Sequence, residues 1–200
     1  PNDFGVQGEK PTHPELLDHL ALSFQEDDWS VKNLIRRMVL SRTYRMSSNY
    51  SEAHYAVDPG NELLWRMRQK RLDAESMRDS MLAIGGELEL PRPVGSPVVK
   101  HPSNEGGRSL ARAKKTLDGN YRSVYLPIMR SFVPQILQTF DFAEPSMVKG
   151  SRDVTTVPTQ ALYLMNNPFV HRQSKNLARI LMDKDGLTNA ERIDLAYKLA

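Results

Sequence analysis

Three charged residues in the stretch RQKRLDAESMRDSML, residues 68–82, have types and a spacing that could bind an anion. If this stretch is helical, Arg71, Glu75 and Arg78 form one row along the helix. The row lies beside an apolar face of six residues: Leu63, Met67, Ala74, Met77, Met81 and Ile84. A helix that is apolar or mixed around most of its circumference is largely surrounded by other elements. We therefore expect the charged row to be at least partly buried.

The chemistry of this row depends on how its charges are paired. Glu75 is within helical reach of both arginines, so one carboxylate would serve two guanidinium groups and a further acidic partner would be needed. A structural ion network inside the fold is the interpretation that we favour, because such networks are common. An anion site is the alternative, since the planar guanidinium fork binds carboxylate, sulfate or phosphate. The residues are compatible with both.

A second candidate surface lies in YRSVYLPIMR, residues 121–130. Its alternating apolar residues predict a short β-strand or ribbon near 122–130, and Pro127 restricts a strand there to a sheet edge. Such a strand would present Arg122 and Arg130 rigidly beside Tyr125, as a surface for an anionic polysaccharide or a protein partner. Nucleic acid is disfavoured, because 27 basic and 24 acidic residues leave a net charge of only +3.

Three carboxylates are candidates for acid–base chemistry: Asp3, Glu75 and Asp141. Asp141 lies between two phenylalanines in the sequence FDF, where we expect backbone amides or an arginine to hold it. Acid–base catalysis by paired carboxylates needs a second carboxylate at a defined distance, which a sequence does not specify. Whether the chain is an enzyme is therefore left open.

Composition excludes several kinds of site within this sequence. The absence of cysteine excludes disulfides, thiolate zinc sites, iron–sulfur clusters and covalently attached haem. His13, Glu15 and His19 lie near one helix start, but their spacing places the histidines on different faces, so we predict no metal site. The longest apolar run, at 161–165, is far shorter than the roughly 18 residues of a membrane helix.

The elements that must position these residues are mainly helical. Helix signals occur at six places: a Thr12/Glu15 capping-box spacing, Ser30 before residues 31–40, a segment ending at Gly85-Gly86, and starts near Pro134, Pro158 and Pro168. A further capping box pairs Thr188 with Glu191. Residues 85–120 are rich in glycine and proline and predict a long loop. We predict one mainly α-helical domain over 1–200, cut from a longer protein at both ends.

Motifs along the whole chain resemble one family. They are PNDFGVQGEKPTHPELLDHLA, WSVKNLIRRMVLSRTYRMSS, DPGNELLWRM, RLDAESMRDSML, RSVYLPIMR, FDFAEPS and TTVPTQALYLMNNPFV, in this order. The chain is similar to the planctomycete-specific domain of unknown function near the C-terminus of large secreted proteins, which often carry a cytochrome-c-like module. The resemblance implies an extracytoplasmic location, periplasmic or cell-surface, with any haem c on another module. It implies no catalytic residues, because the activity of that family is not established.

Together these observations predict a non-catalytic interaction or scaffold domain of an extracytoplasmic, cytochrome-c-linked multidomain protein. Its expected partners are other domains of the same polypeptide, with anionic polysaccharide as a candidate ligand and no cofactor in this segment. The alternative is an enzyme domain that acts on carbohydrate or supports the redox chemistry of a neighbouring haem module.

Overall fold

The computed structural model of the chain describes residues 6–94, 119–128, 133–147 and 150–200. The chain divides into two compact units, Pro1–Arg71 and Leu72–Ala200, and each is described by itself. The expectation of one domain over 1–200 stays a prediction. Most of the predicted loop over 85–120 lies outside the described residues.

The first unit contains three helices: α1 (Pro14–Glu26), α2 (Val31–Leu40) and α3 (Glu52–Val57). The predicted cap of α2 is confirmed, because the Ser30 hydroxyl accepts a hydrogen bond from the amide of Asn33 at 3.4 Å. The predicted capping box at Thr12 is wrong: α1 is preceded by His13, and the Thr12 hydroxyl lies 3.0 Å from Nδ1 of that histidine. Helix α3 was not predicted, since a helix of six residues is too short to show a helical period.

The second unit contains five of the described helices and one 3₁₀ turn: α4 (Ala74–Ile84), the turn Ser123–Tyr125, α5 (Gln135–Thr139), α6 (Pro158–Asn166), α7 (Pro168–Met182) and α8 (Asn189–Leu199). The mainly helical fold class is therefore confirmed. Helix α4 packs on α5, on α7 and on the 3₁₀ turn. At the start of α8, the predicted capping box of Thr188 and Glu191 is confirmed. The Glu191 carboxylate accepts hydrogen bonds from the Thr188 amide and, with a smaller effect, from the Thr188 hydroxyl, and both bonds lower the pKa of Glu191.

The apolar core of the second unit lies where α4, the 3₁₀ turn and α5 meet. Its buried members are Ala74, Tyr121, Leu126, Ile136, Leu137 and Phe140. Met77 and Met81, from the predicted apolar face of α4, pack partly buried against this cluster. The prediction is therefore confirmed only in part, since the other two buried residues of α4, Arg78 and Leu82, lie on the adjoining side that carries the charged row. Leu63 and Met67, also predicted for this face, precede α4 and belong to the first unit.

Helix α4 begins later than the charged row requires. Asp73 caps it by accepting a hydrogen bond from the Ser76 amide at 2.7 Å. The pKa of Asp73 is lowered, chiefly by a hydrogen bond with the Ser76 side chain and to a smaller extent by the bond from the Ser76 amide. Arg71 precedes this cap and belongs to the first unit, whereas Glu75 and Arg78 belong to α4. The prediction that all three form one helical row is therefore wrong, because the capping residue interrupts it.

A strand is predicted near 122–130, but the described residues of this segment do not form one. Tyr121 forms an isolated parallel bridge with Glu89, and the chain then turns through Ser123–Tyr125 as a 3₁₀ helix. The amide of Ser123 donates to a side chain of α4, so it is not free to join a second strand. Arg130 lies outside the described residues.

No helix in the described parts of the chain is long and apolar enough to cross a membrane.

Candidate functional site

Arg78 is the most deeply buried of the predicted charged residues. Its side chain is only 6% exposed. The guanidinium donates hydrogen bonds to the Tyr121 carbonyl and the Ser123 hydroxyl, each at 3.1 Å, and to the Gly119 carbonyl. One planar fork thus collects three acceptors from the segment 119–123, which matches the fixed donor geometry of arginine.

Asp79, the next residue on α4, binds the same segment. Its carboxylate accepts hydrogen bonds from the Ser123 amide at 2.8 Å and from the Ser123 hydroxyl at 2.6 Å. The Asp79 carboxylate also lies 3.5 Å from the Arg78 guanidinium, so the buried positive charge has a counter-charge beside it. We call Arg78, Asp79 and Ser123 the α4 clamp. Ser123 carried no signal in the sequence, since only the fold brings it 44 residues back to α4.

Glu75 has a different partner from the one that its helical spacing suggests. Its two carboxylate oxygens accept hydrogen bonds from Arg152 at 2.6 and 2.9 Å. This bidentate contact is the main reason why the pKa of Arg152 lies above its ordinary value. The Arg152 guanidinium also lies 5.2 Å from the ring centroid of Phe142. Glu75 and Arg78 therefore hold two separate segments and do not share one ion pair.

Replacement of Glu75 by alanine tests how strongly this pair stabilises the fold. The side chains of Glu75 and Arg152 are 24% and 40% exposed, so water screens their interaction. We expect Glu75→Ala to lower the free energy of unfolding by about 1 kcal/mol, as for solvent-exposed pairs. Urea unfolding of Glu75→Ala, Arg152→Ala and the double variant measures the coupling between the two side chains. A loss of about 3–5 kcal/mol would contradict this expectation and indicate a buried, uncompensated charge.

Asp141 ties α5 to the segment before α6. It follows α5 with a φ of 62°, in the left-handed region. Its carboxylate accepts hydrogen bonds from the Thr155 amide at 2.8 Å and the Thr155 hydroxyl at 2.7 Å. Gln160, which is buried in α6, donates to the same carboxylate at 3.5 Å and to the Thr139 carbonyl at 3.0 Å. The expectation that a backbone amide holds Asp141 is confirmed.

A further carboxylate, that of Glu87, follows α4 and is bound by three side chains of α7. Glu87 accepts hydrogen bonds from Gln173 at 2.7 Å, from Asn176 at 2.8 Å and from Arg172 at 3.2 Å. The pKa of Glu87 is lowered, chiefly by the bond from Gln173. The sequence offered no signal for this site, since Glu87 is more than 80 residues away from each of its three donors.

The remaining predicted site residues are not brought together by the described structure. Arg122 is exposed and makes no ion pair with any residue that the structure describes, whereas Tyr125 packs partly buried against the core. Arg130 and Asp3 lie outside the described residues. The Arg122, Tyr125 and Arg130 surface therefore stays a prediction.

The described residues contain no group of three or more histidine, aspartate or glutamate side chains that could hold a metal ion. The carboxylates of the second unit act as acceptors of hydrogen bonds within the fold. Asp79, Glu87 and Asp141 each accept from two or more donors in a distant segment.

Comparison with known proteins places the chain in a family but assigns no activity. No curated protein and no solved structure matches it. A family model does match, and it covers residues 1–200. The chain therefore belongs to the family PSD1, described as a protein of unknown function (DUF1553).

Proposed function

We propose that this chain is a non-catalytic interaction or scaffold domain of an extracytoplasmic, cytochrome-c-linked multidomain protein. The observation that carries the proposal is the use of its candidate carboxylates. Glu75 and Asp141 each accept a pair of short hydrogen bonds from a segment far along the chain. These bonds engage both oxygens of each carboxylate and tie it to another part of the fold, as structural contacts do. Such contacts suit a fold that holds its shape while it binds a partner.

The helix pair α1–α2 supports an interaction role. Five large apolar residues of this pair and its connecting turn are more than half exposed: Leu17, Leu22, Trp29, Val31 and Leu40. Helix α2 has no buried residue, although six of its ten residues are apolar. Exposed apolar surface of this kind marks a protein contact. The resemblance to domains of large multidomain proteins makes another domain of the same polypeptide the proposed partner.

The test measures association of this chain with the separately produced remainder of its polypeptide. A Trp65→Phe background leaves Trp29 as the sole tryptophan, so burial of α1–α2 is expected to shift its emission to shorter wavelength. Trp29→Ser should weaken the complex in sedimentation velocity. Tyr197→Ser, at an even more exposed aromatic residue of the second unit, is the control. Failure of the unaltered chain to associate would overturn the interaction proposal.

Replacement of Asp141 separates the scaffold from the alternative enzyme domain. Asparagine tolerates the left-handed backbone, but its NH₂ group cannot accept one of the two bonds from Thr155. We expect Asp141→Asn to lower the free energy of unfolding by about 1–3 kcal/mol, because a partly buried donor is left unpaired. Chemical denaturation checks this, with Asp185→Asn at an exposed turn as the control. An unchanged stability together with loss of turnover on a carbohydrate would instead support the enzyme.

As a second part of this proposal, Arg122 binds an anionic polysaccharide. Its support is the exposure of Arg122 and the lack of an ion pair with any described residue, which leaves its guanidinium able to donate to a ligand. Chromatography on immobilised polyuronate and sulfated polysaccharide is the test. We expect Arg122→Gln to elute at lower salt than the unaltered chain, and equal retention would overturn this part of the proposal.

A further inference from the structure

The first unit contains a positively charged cleft that lies outside all the sites described above. It has a volume of about 700 Å³. Among the described residues that line it, Arg66 and Arg68 are the only ionisable ones apart from Tyr50, and none is a carboxylate. Neutral hydrogen-bonding side chains complete the polar wall: Ser48, Asn49, Asn61 and Gln69. A space of this size is typical of a small-molecule site, and its lining pairs positive charge with neutral donors and acceptors.

The guanidinium of Arg66 lies over two aromatic rings. Its guanidinium carbon lies 4.7 Å from the ring centroid of Trp65 and 5.6 Å from that of Tyr50. No described carboxylate forms an ion pair with Arg66, although its side chain is half-buried. Glu52, the acidic residue of this cluster, accepts a hydrogen bond from the Tyr50 hydroxyl at 2.8 Å, which raises the pKa of Tyr50. A guanidinium that lies over an aromatic ring can still donate hydrogen bonds from its N–H groups.

The backbone around Arg66 is fixed by Asn61. The Asn61 side chain accepts from the Arg66 amide at 3.2 Å and donates to the Arg66 carbonyl at 2.9 Å. Asn61 is buried and has a φ of 54°, in the left-handed region that asparagine tolerates. Arg66 is therefore positioned by its own backbone as well as by its neighbours' rings.

The ring of Trp65, the nearer of the two rings to Arg66, is itself held in place by two contacts. Its indole N–H donates to the Asp58 carbonyl at 2.9 Å, and the His54 ring stacks on it at 5.5 Å with an interplanar angle of 20°. The Asp58 carboxylate is buried and accepts from the amides of Glu62 and Leu63. This second layer of contacts orders the platform before any ligand binds, and a preorganised site loses less entropy on binding.

We infer that this cleft binds an acidic sugar, with its carboxylate or sulfate group on the edge of Arg66. A planar guanidinium fork recognises such an oxyanion through two parallel hydrogen bonds. Arg68 lies in the same cleft, anchored by a bond from Nη2 to the Gly60 carbonyl, and adds a second positive charge. The amide and hydroxyl groups of Asn49, Gln69 and Ser48 suit the hydroxyl groups of a sugar ring. Arg122 belongs to the second unit and is not one of the residues that line this cleft.

The test uses Trp65 as a reporter of the cleft. In a Trp29→Phe background it is the sole tryptophan, and its ring lies 4.7 Å from the Arg66 guanidinium. The probes are glucuronate, glucose 6-sulfate, glucose, inorganic sulfate and inorganic phosphate, titrated at low salt. We expect a saturable change in Trp65 emission with both acidic sugars and none with glucose.

Variants distinguish recognition by the fork from simple charge attraction. Arg66→Lys keeps the charge but removes the fork, so we expect it to weaken acidic-sugar binding at least about tenfold. Arg36→Lys, at an exposed position of α2, should change nothing. If Arg66→Lys alters the circular dichroism spectrum, Arg68→Gln replaces it as the test of the cleft, and it too should weaken binding.

Several outcomes would overturn the inference. Binding of glucose as tight as that of the acidic sugars would remove the role of the oxyanion. Inorganic sulfate or phosphate binding as tightly as the acidic sugars would remove the role of the sugar. If the Arg66→Lys variant bound the acidic sugars as tightly as the unaltered chain, the Arg66 fork would not be the group that recognises the oxyanion. Arg122→Gln should leave this titration unchanged, so the failure of one proposal does not imply the failure of the other.

Discussion

Replacement of Arg78 by alanine is expected to lower the free energy of unfolding by about 3–5 kcal/mol, as when one partner of a buried ion pair is removed. Arg78 is almost fully buried, and its removal leaves the carbonyls of Gly119 and Tyr121 without a donor. It also leaves the Asp79 carboxylate without its adjacent counter-charge. Urea unfolding followed by circular dichroism measures the loss.

Two further variants define what the α4 clamp requires. Arg78→Lys keeps a positive charge but cannot reach three acceptors with one planar fork, so we expect an intermediate loss. Arg122→Ala removes an exposed arginine from the same segment and should change stability by less than about 0.5 kcal/mol.

Hydrogen exchange locates the effect of the clamp. The Ser123 amide, which donates to Asp79, should exchange faster in Arg78→Ala than in the unaltered chain. A loss of stability below about 1 kcal/mol, the range of a solvent-exposed pair, would show that Arg78 does not hold the segment 119–123.

Gly85→Ala is expected to destabilise the second unit by about 1–3 kcal/mol, the usual cost of overpacking a filled site. A Cβ atom at position 85 would lie 2.0 Å from Oε1 of Gln173, which is far inside van der Waals contact. Gln173 is only 4% exposed, and its amide nitrogen donates to Glu87. The side chain therefore cannot move away without breaking that bond. Thermal and urea unfolding measure the cost.

Relief by a second substitution separates this clash from a general intolerance of alanine. Gln173→Ala removes the clashing oxygen, so adding it to Gly85→Ala should cost less than the sum of the two single changes. Gly60→Ala is the matched control, since nothing lies closer than 3.5 Å to a Cβ atom there. Additive effects of Gly85→Ala and Gln173→Ala would show that the two positions do not compete for space.

Local sequence signals predicted helix ends well where one side chain contacts a nearby backbone group. Ser30 and Thr188 cap α2 and α8 as their positions predict, because a cap spans only three residues. Helix α4 stops at Gly85, as the glycine pair predicts. Helical periodicity leaves the start of α4 open, with 71–84 as its secure part, and the structure starts the helix at Ala74 behind Asp73, a common capping residue.

The candidate site was only partly predictable, because its ion pairs join residues far apart in sequence. Helical spacing placed Glu75 within reach of Arg71 and Arg78, and it gave no means of finding Arg152, which is 77 residues away. The predicted strand near 122–130 has the correct alternation for an edge strand. In the fold, however, Asp79 takes the amide that pairing would require, and a 3₁₀ turn forms instead.

The sequence by itself determined the helical class, part of the buried surface of α4, the caps of α2 and α8, and membership of a family. These features depend on periodicity, on contacts within a few residues and on the order of motifs along the chain. Only the tertiary structure decided the partners of Glu75, Arg78 and Asp141, and the stacking of Arg66 against Tyr50 and Trp65. The physical reason is that a charged side chain forms its strongest contacts with whichever donors and acceptors folding brings nearest, and sequence spacing does not record that distance.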